Sequence, residues 1–283
     1  MESARGESNP ENFVIFVLTK KTIYHVRKKI TKVSSDKASN NGSSEPWKPT
    51  ADNKSKAVTF RVIAAIAWLV AIGFEIWGIL KLRGGDVQEN GMTMLIVLIV
   101  IALIFAVAGN LLWKKANRLD PASIKEKFKF WVQNQLGAII SAIAFLPLVI
   151  LILADKNIDK KQKGILGAIA GAALLIGVGT GIDFNPPSVE QYTEETRVVE
   201  TLTGQDFVYW TKSGKKYHLY NTCGYINSDR TDEIFEGTVG NAKSMKKISE
   251  LCSRCKGQAE KENSIDLEEA MEELPEEETE AAE

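Results

Sequence analysis

MTMLIVLIVIALIFAVAGNLLW, residues 92–113, carries no charged side chain. A helix rises about 1.5 Å per residue, so a run of this length reaches across a hydrocarbon layer roughly 30 Å thick. Four buried helices of a water-soluble protein would each show a polar face every turn, and this stretch shows none. The same reading extends outward along the chain. Leu136–Ala154 and Gly164–Ile182 are uncharged as well, and Ala57–Leu80 is interrupted only by Arg61 and Glu75. Trp77 and Trp113 fall at span ends, where indole rings prefer the boundary between lipid and water. The expected core of the fold is therefore an all-α, four-helix transmembrane bundle over residues 57–183, with spans at 57–80, 92–113, 136–154 and 164–182. Pro147 is expected to kink the third span.

The loops between these runs carry the topology signal. Lys48, Lys54 and Lys56, the six lysines and arginines of 114–135, and Arg197 flank one side. Lys81, Arg83, Lys156, Lys160, Lys161 and Lys163 flank the other. The heavier side is the cytoplasmic one by the positive-inside rule, which predicts a multi-pass cell-membrane protein with both termini in the cytoplasm. Within 114–135, Asp120-Pro121 reads as a helix start, with the acid as cap and proline at the first helical position. Ile124, Phe128, Trp131 and Val132 then form an apolar stripe opposite Lys125, Lys127 and Lys129, the pattern of an interfacial helix.

Beyond the bundle, residues 207–227 read FVYWTKSGKKYHLYNTCGYIN, and LCSRC follows at 251–255. All three cysteines of the chain, Cys223, Cys252 and Cys255, lie here with His218. Spaced as H-x4-C and C-x2-C, they make a complete tetrahedral ligand set. Zinc takes thiolate and imidazole ligands at about 2.0–2.3 Å, and a closed set of four marks a structural site. An odd cysteine count argues against a disulfide framework, and free thiolates suit a reducing compartment. Val208–Trp210 and Lys216–Tyr220 flank Ser213-Gly214 as a β-hairpin would. Thr238 reads as the cap of a short helix running to Leu251 that delivers the second cysteine pair. Residues 184–258 are thus predicted to be a small α+β zinc-binding module at the cytoplasmic face, too small for its core alone and completed by Zn2+.

At these residues the chain resembles the small Ada-type metal-binding domain, found at the ends of bacterial nucleases and membrane proteins. That pattern is G-x-x-YH, four residues, C, then C-x-x-C. The likeness rests on Gly214, Tyr217, His218, Cys223, Ala242, Cys252 and Cys255 and covers about fifty residues. It departs where Ile248-Ser249-Glu250-Leu251 replaces the usual Gly and Pro, and where the spacer is longer. The resemblance implies metal binding. It also raises an enzymatic alternative, in which a zinc-activated Cys223 thiolate accepts an alkyl group.

The ends of the chain read as accessory. Residues 1–56 form a basic N-terminal region, where Lys20, Lys21, Arg27, Lys28, Lys29 and Lys32 alternate with Ile23, Tyr24, Val26 and Ile30. This reads as a solvated strand or helix, with contact to anionic lipid as the alternative. Ser34–Lys56 has linker composition. Phe13–Leu18 is too short for a secretory signal core. From 259 to 283 an acidic, solvated tail is expected, with a short helix at Ile265–Leu274 as the alternative.

No phosphate-cradling G-x4-G-K-[ST], H-E-x-x-H or G-x-S-x-G pattern occurs, so the chain is read as non-enzymatic. The favoured function is a multi-pass protein in the lipid bilayer that displays the zinc module for binding a protein partner or for sensing. Glu75, an ionisable group inside a span, supports the alternative of a small transporter or channel. Nucleic acid is a less favoured partner, suggested by Lys212, Lys215, Lys216, Lys246, Lys247, Arg254 and Lys256 among Tyr209, Trp210, Tyr217 and Tyr220. Gly167-x3-Gly171 suits close helix packing, within the bundle or in a homo-oligomer. Asn110 is expected to add little.

Overall fold

The structure is a computed structural model of the chain, and it describes residues 29–33, 46–84, 89–156, 158–245 and 248–272. Four long helices dominate: Ala51–Arg83 (α1), Glu89–Leu119 (α2), Lys127–Ala154 (α3) and Lys160–Gly181 (α4). All four are long and apolar enough to cross a membrane. Helices α1 and α4 start ahead of their apolar runs, where side chains cap them. Thr50 accepts the Asn53 N–H at 3.2 Å, and Asp159 accepts those of Lys161 and Gln162. The linker composition of 34–56 therefore gives way to helix at Ala51.

The bundle is apolar on its outer surface as well as in its interior. Its interior packs Ala71, Leu95, Ile99, Ala102, Phe145, Leu148, Leu166 and Ala170, while Leu69, Ile104, Ile143 and Leu175 face outward. Toward the end of the bundle where α2 and α4 finish, a polar knot joins all four helices. Asn110 of α2 accepts from Trp68 Nε1 of α1 at 3.0 Å and donates to Ser141 of α3 and to the Gly177 carbonyl and Thr180 of α4. The expectation that Asn110 adds little is corrected: it is the bundle's main interior hydrogen-bonding group. Close helix approach follows the expected glycine pair only in part. A Cβ on Gly167 would lie 3.1 Å from Leu153 Cδ2 of α3, but one on Gly171 would meet nothing within 4 Å. The tightest seam between α3 and α4 is at Gly177-x3-Gly181, where a Cβ on Gly181 would lie 2.2 Å from the Ala138 nitrogen.

The connection from α2 to α3 corrects a second expectation. Asp120-Pro121 starts no helix. The Asp120 carboxylate is held by Arg61 Nη1 at 2.6 Å, and its carbonyl accepts Arg61 Nη2 at 2.9 Å. This bidentate clasp pairs the one cation that interrupts the first span. Helix α3 begins only at Lys127, because Ala122 pairs instead with Ser188. Ile124, Phe128 and Trp131 are exposed, as an apolar stripe requires.

Helix α5 (Val189–Thr203) follows the bundle and leads into the module. A three-stranded sheet, in the order β1-β4-β2, joins Lys29–Lys32 (β1), Glu233–Gly237 (β4) and Val208–Thr211 (β2). Strand β1 lies parallel to β4, and β2 antiparallel. A second pair joins Lys216–Tyr217 (β3) and Glu250–Leu251 (β5) in parallel. Helices Val239–Met245 (α6), Ser253–Asn263 (α7) and Leu267–Glu272 (α8) complete it. Because β1 belongs to the same sheet as β2 and β4, the described N-terminal and C-terminal parts meet at one end of the bundle. The basic segment from Lys20 to Lys28 lies outside the described residues.

Two module boundaries shift. Helix α6 has ended by Ile248, short of Leu251, although Thr238 caps it as expected by accepting the Asn241 N–H at 3.2 Å. The C-terminal side of the module does not end at 258. Helix α7 runs to Asn263, and Leu267 of α8 is buried in the module core, so part of the acidic stretch is docked rather than solvated.

Candidate metal centre

The β2–β3 hairpin sets the first ligand. Tyr209 and His218 exchange both backbone bonds at 2.7 Å, which places the imidazole at the end of the paired region. Cys223 sits in the tight turn that follows, where its carbonyl accepts the Ile226 and Asn227 N–H groups at 3.0 and 2.8 Å. Cys252 ends β5 and begins α7: its N–H donates to the Tyr217 carbonyl at 2.9 Å, and its carbonyl accepts from Lys256 at 2.9 Å. As the residue before α7 it makes no side-chain cap, leaving its thiol free to turn inward. Cys255 lies in the first turn of α7. The second cysteine pair therefore comes from a strand-to-helix corner, not from the helix expected over 238–251.

These four side chains converge. One ligand atom from each lies within 4.8 Å of all the others, and every one of the four residues is buried. Cys255 Sγ stands 3.6 Å from His218 Nδ1. For a tetrahedral ion with bonds of about 2.0–2.3 Å, neighbouring ligand atoms should be roughly 3.6 Å apart, so this edge already fits. No disulfide competes, since all three cysteines are free. Burial pulls His218 down to about 4, with the Lys216 charge adding to the effect, so its ring is neutral and offers a lone pair. Burial pushes Cys255 up to about 12, and the Cys223 and Cys252 thiols beside it push the same way. Three thiolates crowded in an apolar core need a cation to be ionised together. The donor set therefore fits a metal ion.

The centre is embedded in the module core rather than hung on its surface. Trp210 and Tyr217 are each 1 % exposed and pack with Val208, Leu219, Ile226 and Ala259 around the ligands. This removes two aromatics from any nucleic-acid surface. Lys216 and Lys256 of the basic face are paired with Glu250 and Glu260, while Lys246 and Lys247 lie outside the described residues.

Helix α5, which the sequence reading passed over, links this core to the bundle. Tyr217 Oη donates to Glu195 at 3.0 Å, and Glu195 also pairs with Lys243. The Lys243 ammonium lies 5.2 Å from the centre of the Tyr192 ring, and Tyr192 Oη donates to the Arg118 carbonyl at the end of α2. Glu190 holds the Ser123 hydroxyl and the Ile124 N–H, both in the α2–α3 connection. The missed signal was Ser188 followed three residues later by Gln191, a helix start after Asn185-Pro186-Pro187.

Glu75 is distant from this centre. It is 4 % exposed, and neither carboxylate oxygen has a hydrogen-bond partner among the described residues. No known protein family matches the chain, and neither the curated proteins nor the solved structures include one recognisably similar to it.

Proposed function

We propose that the chain is a multi-pass membrane protein whose bundle anchors a structural-zinc module for partner binding or sensing at the cytoplasmic face. The observation that carries this reading is the convergence of His218, Cys223, Cys252 and Cys255 inside the core of a module seated on the bundle end. Outward-facing leucine and isoleucine along all four helices supports residence in lipid, since water would leave a large apolar surface exposed. Deep burial of the three thiols supports a structural ion over an alkyl-accepting thiolate, which must meet its substrate. The likeness to Ada-type domains supports metal binding and carries no activity here.

The test combines fractionation with limited proteolysis. The protein should stay in membranes through alkaline extraction, and chelation should expose the module to protease while the bundle fragment survives. A protein that washes off the membrane, or a module equally resistant with and without chelator, contradicts the proposal. The unpartnered Glu75 carboxylate favours a second reading, a small transporter or channel. There, Glu75→Gln abolishes solute or proton flux in proteoliposomes, and unchanged flux removes it.

A further inference from the structure

Where the module meets the bundle, a cleft opens between the ends of α2 and α4 and the start of α5, lined in part by Leu111, Lys114, Arg118, Asp183, Phe184 and Lys243. We propose that this cleft binds the phosphodiester headgroup of one anionic phospholipid. The inference rests on the reading of the bundle as membrane-embedded.

Depth is the first argument. Trp113 closes the apolar run of α2, and Arg118 lies five residues further on, about 7 Å along the helix. The headgroup layer extends roughly 5–8 Å beyond the hydrocarbon on each side, so the guanidinium stands at the level of lipid phosphates. Lining is the second. Leu111 is 58 % exposed and Phe184 85 % exposed, so the apolar rim of the cleft is open to acyl chains while its cations stand behind.

Charge is the third. Lys243 is taken by Glu195, and the Lys114 ammonium donates to the Ile182 carbonyl at 2.7 Å. Arg118 has no ion pair among the described residues. Lys114, Arg118 and Asp183 all line the cleft, and the Arg118 guanidinium supplies the one cation that a single phosphodiester requires. A zwitterionic lipid brings its own ammonium and gains less. Two parallel N–H donors of a guanidinium also suit a phosphate's geometry.

Native mass spectrometry of the full-length protein, titrated with phosphatidylglycerol, phosphatidylcholine or inorganic phosphate, tests this. One phosphatidylglycerol should be retained about fivefold more tightly than phosphatidylcholine, the worth of one cation at a membrane surface. Arg118→Gln should bring the two lipids level and Arg118→Lys should keep most of the preference. Only the backbone carbonyl of Arg118 holds Tyr192, so these variants leave the docking of α5 in place. Equal retention of both lipids by the wild type, or a preference untouched by Arg118→Gln, overturns the inference. Displacement of the lipid by inorganic phosphate at matched concentration overturns it too, since the site would then serve a soluble anion. Failure of the membrane reading shows separately, as a protein that is soluble without detergent and never incorporates into vesicles.

Discussion

Trp68 Nε1 donates to Asn110 Oδ1 at 3.0 Å, tying α1 to α2 deep inside the bundle, and the other end of the same carboxamide reaches α3 and α4. Its two N–H groups are shared among Ser141, the Gly177 carbonyl and Thr180. One side chain thus fixes the register of all four helices. In a bilayer, no water enters to satisfy these groups if the knot is cut.

Asn110→Leu should destabilise the bundle by about 1–2 kcal/mol, taking interhelical bonds in membranes at roughly 0.6 kcal/mol each. Unfolding by denaturing detergent, followed by tryptophan fluorescence, measures this. A variant as resistant as the wild type would show that the knot is incidental.

Two glycines of α4 separate packing inside the bundle from packing between bundles. Gly181→Ala places a methyl group 2.2 Å from the Ala138 nitrogen and should force α3 and α4 apart, lowering thermal stability sharply. Gly171→Ala meets nothing within 4 Å and should be neutral. A fall in oligomer size with Gly171→Ala, read by light scattering, would instead reveal a homo-oligomer through that face.

The module should carry a pH-dependent strain at Asp206. This side chain is 7 % exposed and accepts the Val239 N–H at 2.8 Å. Burial pushes its carboxyl from an ordinary 3.8 up to about 7, against the lowering effect of that N–H, and the Glu200 charge pushes it further up. The folded state therefore holds a proton that the unfolded state gives up. Its stabilising effect is complete below 3.8 and is lost as pH rises toward 7. Asp206→Asn keeps the acceptor and drops the charge. Its stability relative to wild type should increase across that window and level off above it. A difference that is flat with pH, in paired thermal melts, would contradict this.

Topology is checked by a reporter fused after Glu283. Ten basic residues against six predict a cytoplasmic C-terminal side, so a reporter active only there should be bright. One active only outside should be silent.

Much of the architecture was legible because its signals are local. An uncharged apolar run announces itself within one window, and H-x4-C with C-x2-C marks the four side chains that converge. What escaped was set by distant partners. Asp120-Pro121 has the chemistry of a helix start, yet Arg61, fifty-nine residues earlier, claims the carboxylate and Ser188 claims the following strand-like residue. Strand β4 was missed because EIFEG is short and charged, and its partner β1 lies about two hundred residues away. Asn110 looked minor because its worth lies in three other helices. The corner that presents Cys252 and Cys255 depends on β5 pairing with β3, which no short window contains.

Metal analysis of the purified full-length protein, beside Cys252→Ser and His218→Ala, tests the central claim most directly. One zinc per chain in the wild type, with less than one in each variant and a module that becomes protease-sensitive, is the expected result. A wild-type protein that holds no metal after purification without chelator, yet keeps its module folded, would contradict it.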